Sequence, residues 1–529
     1  MIRRGLQPRI GVPQLRSRCF KEHKLRLCDQ KADNNGYDTT DDTLLTTPLF
    51  YVNGELHIGH AYTLVASDII KLYNGISGRN SRLLSGTDEH GTKIENAAAT
   101  VGKTPQRYVE HMRTNYMEVK RAYNLHVDID VHTADENHRE KVKQIFTRLL
   151  NQGDIYEGLH KGYFCPKEDA YYTEFQLVDG KSPMGFEVHH VAEKAFFFRL
   201  SKYQDRLRQL IGKHGYIVPQ ERQNEAMEML RNGLPDVAVT RSNTGWGVPL
   251  DIKGFEGHTV YVWLDALLGY LPNYLQVDVE RNMVMIFGKD ILRFITLLWP
   301  ALLMALGKPP PNQLICHGWI LQDKEKMSKS KGGCIPALPP LSTPDVSRYV
   351  LMSLGAFGKD FHYDIETVTN LSEFVRDKYA NLTHRVTSLF QQRGLSKVIH
   401  HAGDDLDQFV TRVVDRWECL GDIMRQFRID KYIQEVNSIA LDINNYITHN
   451  RIWQTQDTAE FKQHALVLCQ ALLALTIYLY PVMPGLARQN MQRLQPNLNG
   501  VPIEHGASVD ILRSLKQIVF NPQHLGPLM

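Results

Sequence analysis

The stretch Thr43-Leu44-Leu45-Thr46-Thr47-Pro48-Leu49-Phe50-Tyr51-Val52-Asn53-Gly54-Glu55-Leu56-His57-Ile58-Gly59-His60 decides how the rest of the chain is read. Leu44 to Pro48 is a short apolar run stopped by a proline, the pattern of a buried strand. From Gly59 through Tyr73 the apolar residues return at helical spacing. Ser81-Arg82-Leu83-Leu84-Ser85-Gly86 is a second short strand, and a further helical stretch opens at His90. Strands alternating with helices predict an α/β fold with a doubly wound parallel sheet. In such sheets anionic ligands sit where a strand end meets a helix N-terminus, facing exposed N–H groups. His57-Ile58-Gly59-His60 occupies that corner. Gly59 permits close backbone approach, and His57 and His60, three apart, share one face of the first helical turn. The looser pattern His-x-Gly-His is expected roughly 0.06 times by chance in a chain of this composition. The tetrapeptide alone is therefore suggestive, and a loop with incidental histidines competes with it.

At 529 residues the chain exceeds one ordinary core, and two to four domains are expected. Residues 103–125 and 136–152 read as helices, with caps at Thr104 and near Ala134-Asp135. From Gly153 to Trp246 short segments rich in Gly, Tyr, Phe and His suggest an inserted module. Alternating texture resumes with strands at Thr259-Val260-Tyr261-Val262-Trp263 and Met283-Val284-Met285-Ile286-Phe287. Beyond residue 345 the pattern is helical, with apolar-periodic runs at 405–427, 430–450 and 458–480. The expected division is a transit-peptide or disordered segment (1–42), a Rossmann-like domain in two halves (43–152 and 247–315), an insertion (153–246), a linker region with a lysine-rich loop (316–357) and an all-α domain (358–529).

A hydrophobic share of 43% with 22% charged residues is that of a globular chain, and excludes a disordered or fibrous one. A net charge of +3 does not by itself announce a nucleic-acid partner, so any basic surface is local. The 7 cysteines are scattered, odd in number and free of Cys-x-x-Cys pairs, which fits a reducing compartment rather than a disulfide scaffold. The most apolar run, Ala465 to Tyr480, is shorter than the roughly 20 residues a membrane span needs and reads as a buried core helix. No membrane partner is expected. Residues 1–21 carry Arg3, Arg4, Arg9, Arg16, Arg18 and Lys21 and no acid, the pattern of an organellar transit peptide. A basic arm gripping RNA is the competing reading. A mitochondrial matrix location follows from the first, with the cytoplasm as alternative.

A second motif, Lys326-Met327-Ser328-Lys329-Ser330, is followed by Lys331-Gly332-Gly333. Most charge runs are solvated loops, but a loop that grips phosphate needs the same mixture of cations and small residues. With both motifs present in this order, the chain resembles the class I aminoacyl-tRNA synthetases, whose two signatures read HIGH and KMSKS. Neither signature carries a substitution here.

Thr46 to Asn53, Gly86-Thr87-Asp88-Glu89-His90-Gly91-Thr92, Tyr261-Val262-Trp263-Leu264-Asp265-Ala266 and Phe287-Gly288-Lys289-Asp290-Ile291-Leu292-Arg293-Phe294 look like the methionine-specific family, on its bacterial and mitochondrial branch. The resemblance spans residues 43–490. It implies ATP-dependent activation of methionine to methionyl-adenylate and transfer to the 2′-hydroxyl at the 3′ end of tRNA(Met), with Mg2+ accompanying ATP. By motif, His57, Gly59, His60, Gly288, Asp290, Lys326 and Lys329 would serve ATP, and Asp88 would bind the α-amino group. Leu49, Tyr51, Trp263, Ala266, Tyr270 and Trp299 would line the side-chain pocket, as suits a polarizable thioether. Plain core packing competes for each aromatic. Asn381, Arg385 and Trp453 would read the anticodon, by stacking and base-edge hydrogen bonds.

Two positions depart from the family. Ile295 stands where it usually has a histidine near the substrate sulfur, and Leu267 follows Ala266 where it usually has proline. In the insertion, Cys165-Pro166-Lys167-Glu168 keeps one cysteine of a metal knuckle, and adjacent His189 and His190 are poor helpers. Tetrahedral zinc normally needs four ligands, so no structural zinc is expected. A monomer is expected too. Competing functions are a class I synthetase for another amino acid, a catalytically inactive tRNA-binding paralogue, and a small HIGH-type nucleotidyltransferase. The long helical C-terminal region disfavours the last.

Overall fold

The structure is a computed structural model that describes residues 43–529 apart from 166–169, 173, 175–176, 184, 232, 243, 272–281, 323–324, 327–334, 339–342, 396–397, 400–406, 495–518 and 521–529. The basic leader, Glu168 and most of the lysine-rich loop, Lys329 included, lie outside the described residues.

The chain opens with β1 (Thr43–Thr46), β2 (Phe50–Tyr51), α1 (Ile58–Ile76), β3 (Ser81–Asp88), α2 (Thr92–Thr100), α3 (Pro105–Ala122), β4 (Ile129–His132) and α4 (Glu136–Asn151). Next come β5 (Ile155–Cys165), β6 (Ala170–Tyr172), β7 (His189–Phe198), α5 (Gln204–Ile211), β8 (Ile217–Val218), α6 (Gln220–Arg231), β9 (Val237–Ala238), β10 (Thr240–Arg241), β11 (Thr259–Val260) and α7 (Val262–Leu268). The main sheet is resumed through β12 (Met283–Gly288), α8 (Trp299–Ala305) and β13 (Gln313–His317).

Its strand order is β2-β3-β1-β12-β13-β8, with β4 also on β3, and every pairing is parallel. As expected for the centre of a parallel sheet covered on both faces, β1 and β12 are buried at every residue, and β12 reads as an apolar run. Gly86 is dictated by close approach of β4: a Cβ there would lie 1.8 Å from the Val131 carbonyl oxygen. The chain leaves β1 through α1 to β3 on one side, and β12 pairs with the other edge of β1. That reversal opens a crevice at the carboxyl ends of β1 and β12, where doubly wound folds hold their ligands.

The inserted residues build a second sheet, β6-β5-β7-β9, with antiparallel pairings. They do not all stay apart from the main sheet, however, because β8 lies parallel to β13 at its edge. Residues 259–263, read as one strand, split differently: β11 stops at Val260 and α7 begins at Val262. A short apolar run carries no period that separates a buried strand from a buried helix.

Beyond β13 come β14 (Ile320–Gln322), β15 (Glu325–Lys326), α9 (Pro344–Ser353) and β16 (Phe361–His362). The helical region follows as α10 (Ile365–Val375), α11 (Asn381–Gln392), α12 (Gln408–Arg425), α13 (Ile429–His449), α14 (Thr458–Leu479) and α15 (Pro484–Leu494). By length and apolarity α14 would span a bilayer, but its apolar residues are buried among the other helices. Arg348 on α9 joins the two regions. Fully buried, it donates to Asp68 Oδ2 on α1 at 2.6 Å and to the Pro481 and Val482 carbonyls at 2.9 Å each.

Candidate active site

Two histidines build the N-terminus of α1. His57 is the N-cap, with extended backbone, and its Nδ1 accepts from the Gly59 N–H at 3.1 Å. His60 reaches back one turn, and its Nδ1 accepts from the His57 N–H at 3.0 Å. This is a capping box in which imidazoles replace the usual hydroxyl and carboxyl groups. The rings stack, with centroids 3.7 Å apart. Because both Nδ1 atoms accept, each ring carries its proton on Nε2. Gly59 has a local reason as well, since a Cβ would sit 2.9 Å from His57 Cε1.

The second signature is held against the first by backbone. β15 pairs antiparallel with β14, so the Lys326 main chain faces Leu321. On the far side of the loop, the Ile58 N–H donates to the Ile335 carbonyl at 3.0 Å, and the Ala337 N–H to the Leu56 carbonyl at 3.0 Å. His57 and Pro336 form an antiparallel bridge. The fold thus ties the exit of the lysine-rich segment to the cap of α1.

Gly288 ends β12 opposite His317 of β13, and Asp290 stands exposed two residues on. A Cβ at Gly288 would meet Asp290 Oδ1 at 2.7 Å and His317 Cε1 at 3.2 Å. His317 was not among the expected site residues. Buried, it donates from Nδ1 to the Gly318 carbonyl at 2.8 Å, and its Nε2 lies 2.8 Å from Thr63 Oγ1 on α1. Burial lowers its pKa, so Nε2 accepts from the threonine. The only sequence signal was a histidine at a strand's carboxyl end.

The residues expected to line the amino-acid pocket come from both sides of β1, from β2 and β3 on one edge and from the stretch after β12 on the other. Tyr51 pairs in register with Asp88 across β2 and β3. The Leu49 N–H donates to the Tyr270 hydroxyl at 2.9 Å, and Tyr270 meets Trp299 edge to face at 5.6 Å. Trp263 on α7 lies flat on Phe294, 3.8 Å between ring centres. Ala266 follows one turn later on the same helix. Ile295, fully buried, and Trp299 come from one widened stretch, the π turn Phe294–Leu298 running into α8. Pro300 has no N–H to give to the Thr296 carbonyl, which favours that widened turn. Trp299 Nε1 has no hydrogen-bond partner among the described residues.

Three carboxylates meet behind this pocket. Asp88 is 8% exposed, and its Oδ1 has no partner among the described residues. Burial, then Asp265 and Glu89, push its pKa well above the usual carboxylate range, against the pull of the His90 N–H. Glu89 is buried too, but two hydrogen bonds from Arg113 at 2.6 and 2.5 Å, with others from His132 and Thr87, outweigh burial and hold it at about 2. Asp265 is sealed in the core. Its Oδ2 accepts from His90 Nδ1 and its Oδ1 from His138 Nε2, each at 2.7 Å. Burial opposes its charge, yet the two histidines keep its pKa below the ordinary value.

In the helical region, Asn381 and Arg385 share a face of α11. The Arg385 guanidinium lies over the ring of Trp453 at 5.6 Å, and that ring is 41% exposed. In the insertion, Cys165 is buried at the end of β5, and the exposed His189 and His190 point to opposite faces of β7. Among the described residues no group of three or more metal-ligating side chains is assembled.

The comparisons with known proteins agree with this fold. The family model described as tRNA synthetases class I (M) matches residues 43–189 and 175–387. The Methionine--tRNA ligase of Rickettsia prowazekii is 32% identical over 470 residues, covering 85% of this chain and 92% of the relative. That of Enterococcus faecalis is 33% identical over 474 residues, covering 83% and 70%. Among solved structures, Mycobacterium tuberculosis methionyl-tRNA synthetase in complex with methionyl-adenylate superposes with a TM-score of 0.83 at 27% identity, covering 92% of this chain and 99% of that one. With its parallel sheet, its two signatures and these relatives, the chain belongs to the class I methionine–tRNA ligases.

Proposed function

We propose that the chain activates methionine with ATP and transfers it to tRNA(Met). The observation that carries this reading is Asp88. A buried carboxylate with an oxygen left unpartnered, one strand away from the stacked His57–His60 cap, suits an ammonium group whose own carboxylate must reach a nucleotide phosphate.

In the first step a methionine carboxylate oxygen bonds to the α-phosphorus of ATP as the bond to pyrophosphate breaks. The Nε2 protons of His57 and His60 donate to the phosphate oxygens, and Lys326 and Lys329 add positive charge. Mg2+ accompanying ATP would supply further positive charge to the phosphates. Gly288 and Asp290 hold the adenosine, with His317 bracing that turn against α1. In the second step the terminal tRNA hydroxyl attacks the acyl carbon and AMP leaves. Leu49, Tyr51, Trp263, Ala266, Tyr270, Ile295 and Trp299 select the side chain by shape, with Ile295 offering no polar contact. Arg385 and Trp453 present a cation and a ring on which an unpaired base stacks, with Asn381 beside them. The reading includes a monomer without structural zinc, working in the mitochondrial matrix after the basic leader has directed it there.

ATP–pyrophosphate exchange on the full chain with each of the standard amino acids tests the reaction. Exchange with methionine alone is expected. Exchange with another amino acid would overturn the pocket assignment, and none at all from folded protein would favour an inactive tRNA-binding chain. Imaging of a C-terminally tagged chain with and without residues 1–42 tests the location.

A further inference from the structure

His138, Asp265 and His90 form one buried chain of hydrogen bonds that ATP and tRNA chemistry does not use. It joins three elements: His138 on α4, Asp265 on α7, and His90 on the turn that follows Asp88, the last residue of β3. Each oxygen of Asp265 accepts from an imidazole at 2.7 Å, and the side chain is sealed from solvent, out of a substrate's reach. The turn is braced from outside by Trp246, whose Nε1 donates to the Glu89 carbonyl and whose own carbonyl accepts from the Gly91 N–H at 2.9 Å. Arg139, also on α4, lies over the Trp246 ring at 5.0 Å. Asp265 shares its short helix with Trp263 and Ala266, so whatever fixes Asp265 fixes that wall of the pocket.

We propose that the His138–Asp265–His90 chain is a positioning network for amino-acid recognition, clamping α7 to the turn that follows Asp88 and setting a second, fixed negative charge behind that carboxylate. The inference rests on the reading of Asp88 as the ammonium site. A buried charge costs several kcal/mol unless paired, and two histidines on one carboxylate are more than packing requires. Their effect is to keep Asp265 ionised where it raises the proton affinity of Asp88. The charged and titratable groups around Asp88 are Asp265 on α7, Glu89 and His90 on the turn that follows it, Tyr51 across the strand pair, and Tyr270 after α7. Glu89 is in turn held by Arg113 of α3 and His132 of β4. The ammonium group needs Asp88 as carboxylate, so methionine binding displaces the proton that Asp265 helps to hold there. In the wild-type protein KM for methionine therefore falls as pH rises, until Asp88 is ionised in the free site.

The test is methionine-dependent ATP–pyrophosphate exchange across pH in four proteins: the wild type, Asp265→Asn, His138→Gln and His138→Leu. Asp265→Asn removes the fixed charge, so the midpoint of the KM profile moves to lower pH, while the high-pH plateau of KM rises about tenfold and KM for ATP stays within about twofold. His138→Gln keeps a donor to Asp265 and leaves midpoint and plateau near wild type. His138→Leu raises KM for methionine and leaves KM for ATP unchanged. If Asp265→Asn does not fold, the glutamine–leucine contrast at 138 decides. An unmoved midpoint in folded Asp265→Asn, or equal effects of glutamine and leucine, overturns the inference. Absence of methionine-dependent exchange in the wild type overturns the reading beneath it.

Discussion

The imidazole of His57 lies on that of His60, 3.7 Å between ring centres, and the Nδ1 of each is bound to a backbone N–H of the helix they open. The two rings therefore hold up α1 through Nδ1, and the proposed reaction assigns the chemistry to Nε2. These duties separate by substitution. Asparagine places an acceptor near Nδ1 and is itself a good N-cap, whereas glutamine places a donor near Nε2 and is not. His57→Asn is expected to keep its melting temperature and lose about 100-fold in exchange rate, as for loss of one donor to a developing anion. His57→Gln loses about 1 kcal/mol of stability and keeps more activity. Calorimetry alongside exchange kinetics checks both, and the reverse ranking sinks the division of labour.

Arg348 and Asp68 are both wholly buried. Arg348→Met leaves an uncompensated carboxylate, with a cost of about 3–5 kcal/mol. Arg348→Met combined with Asp68→Asn is expected to recover part of the lost melting temperature, and no recovery would show that the carbonyl bonds to residues 481 and 482 matter more.

Glu89 gives the protein an acid limit. Its folded pKa of about 2 lies below the ordinary 4.5, so its stabilisation is complete above the unfolded value and fades as pH falls from about 4.5 towards 2. Glu89→Gln is expected to melt lower than wild type at pH 7 and to show a shallower decline between pH 5 and 3. Parallel declines in the two proteins would refute this assignment.

Trp263, proposed to wall the methionine pocket, lies flat on Phe294. Trp263→Ala is expected to raise KM for methionine about 10- to 100-fold, the range for loss of a large apolar contact, with KM for ATP unchanged. Equal movement of both constants would mean the ring serves the fold and not the substrate.

Trp453 is tested by splitting the two half-reactions. Trp453→Ala is expected to leave methionine-dependent exchange intact and to weaken tRNA binding by about 1–3 kcal/mol, the worth of one stacked base. A matching loss in exchange would place the residue in the fold of the helical region.

Much of this was legible because chemistry fixes residues along the chain. The cap of α1, the glycine at the end of β12 and the carboxylate closing β3 lie in short local patterns. What escaped notice depends on partners far apart in sequence. His138 sits in a polar helix with nothing to mark it, and only its 2.7 Å bond to Asp265 gives it meaning. Asp265 left a trace, a lone acid in the apolar run Val262–Leu268. The two-residue β8 was too short to carry a period, and the π turn depended on one missing N–H at Pro300.

Arg348 carries one more consequence. Its donors end on Asp68 and on the carbonyls of Tyr123, Pro481 and Val482. A chain emerging from the ribosome completes its first catalytic half long before residue 482 appears. The acid at 68 must wait for the arginine, and the arginine for the far end of the helices. The foot of α1 is therefore completed only once residues 481 and 482 have been made, and a product truncated before residue 348 leaves Asp68 buried without its arginine.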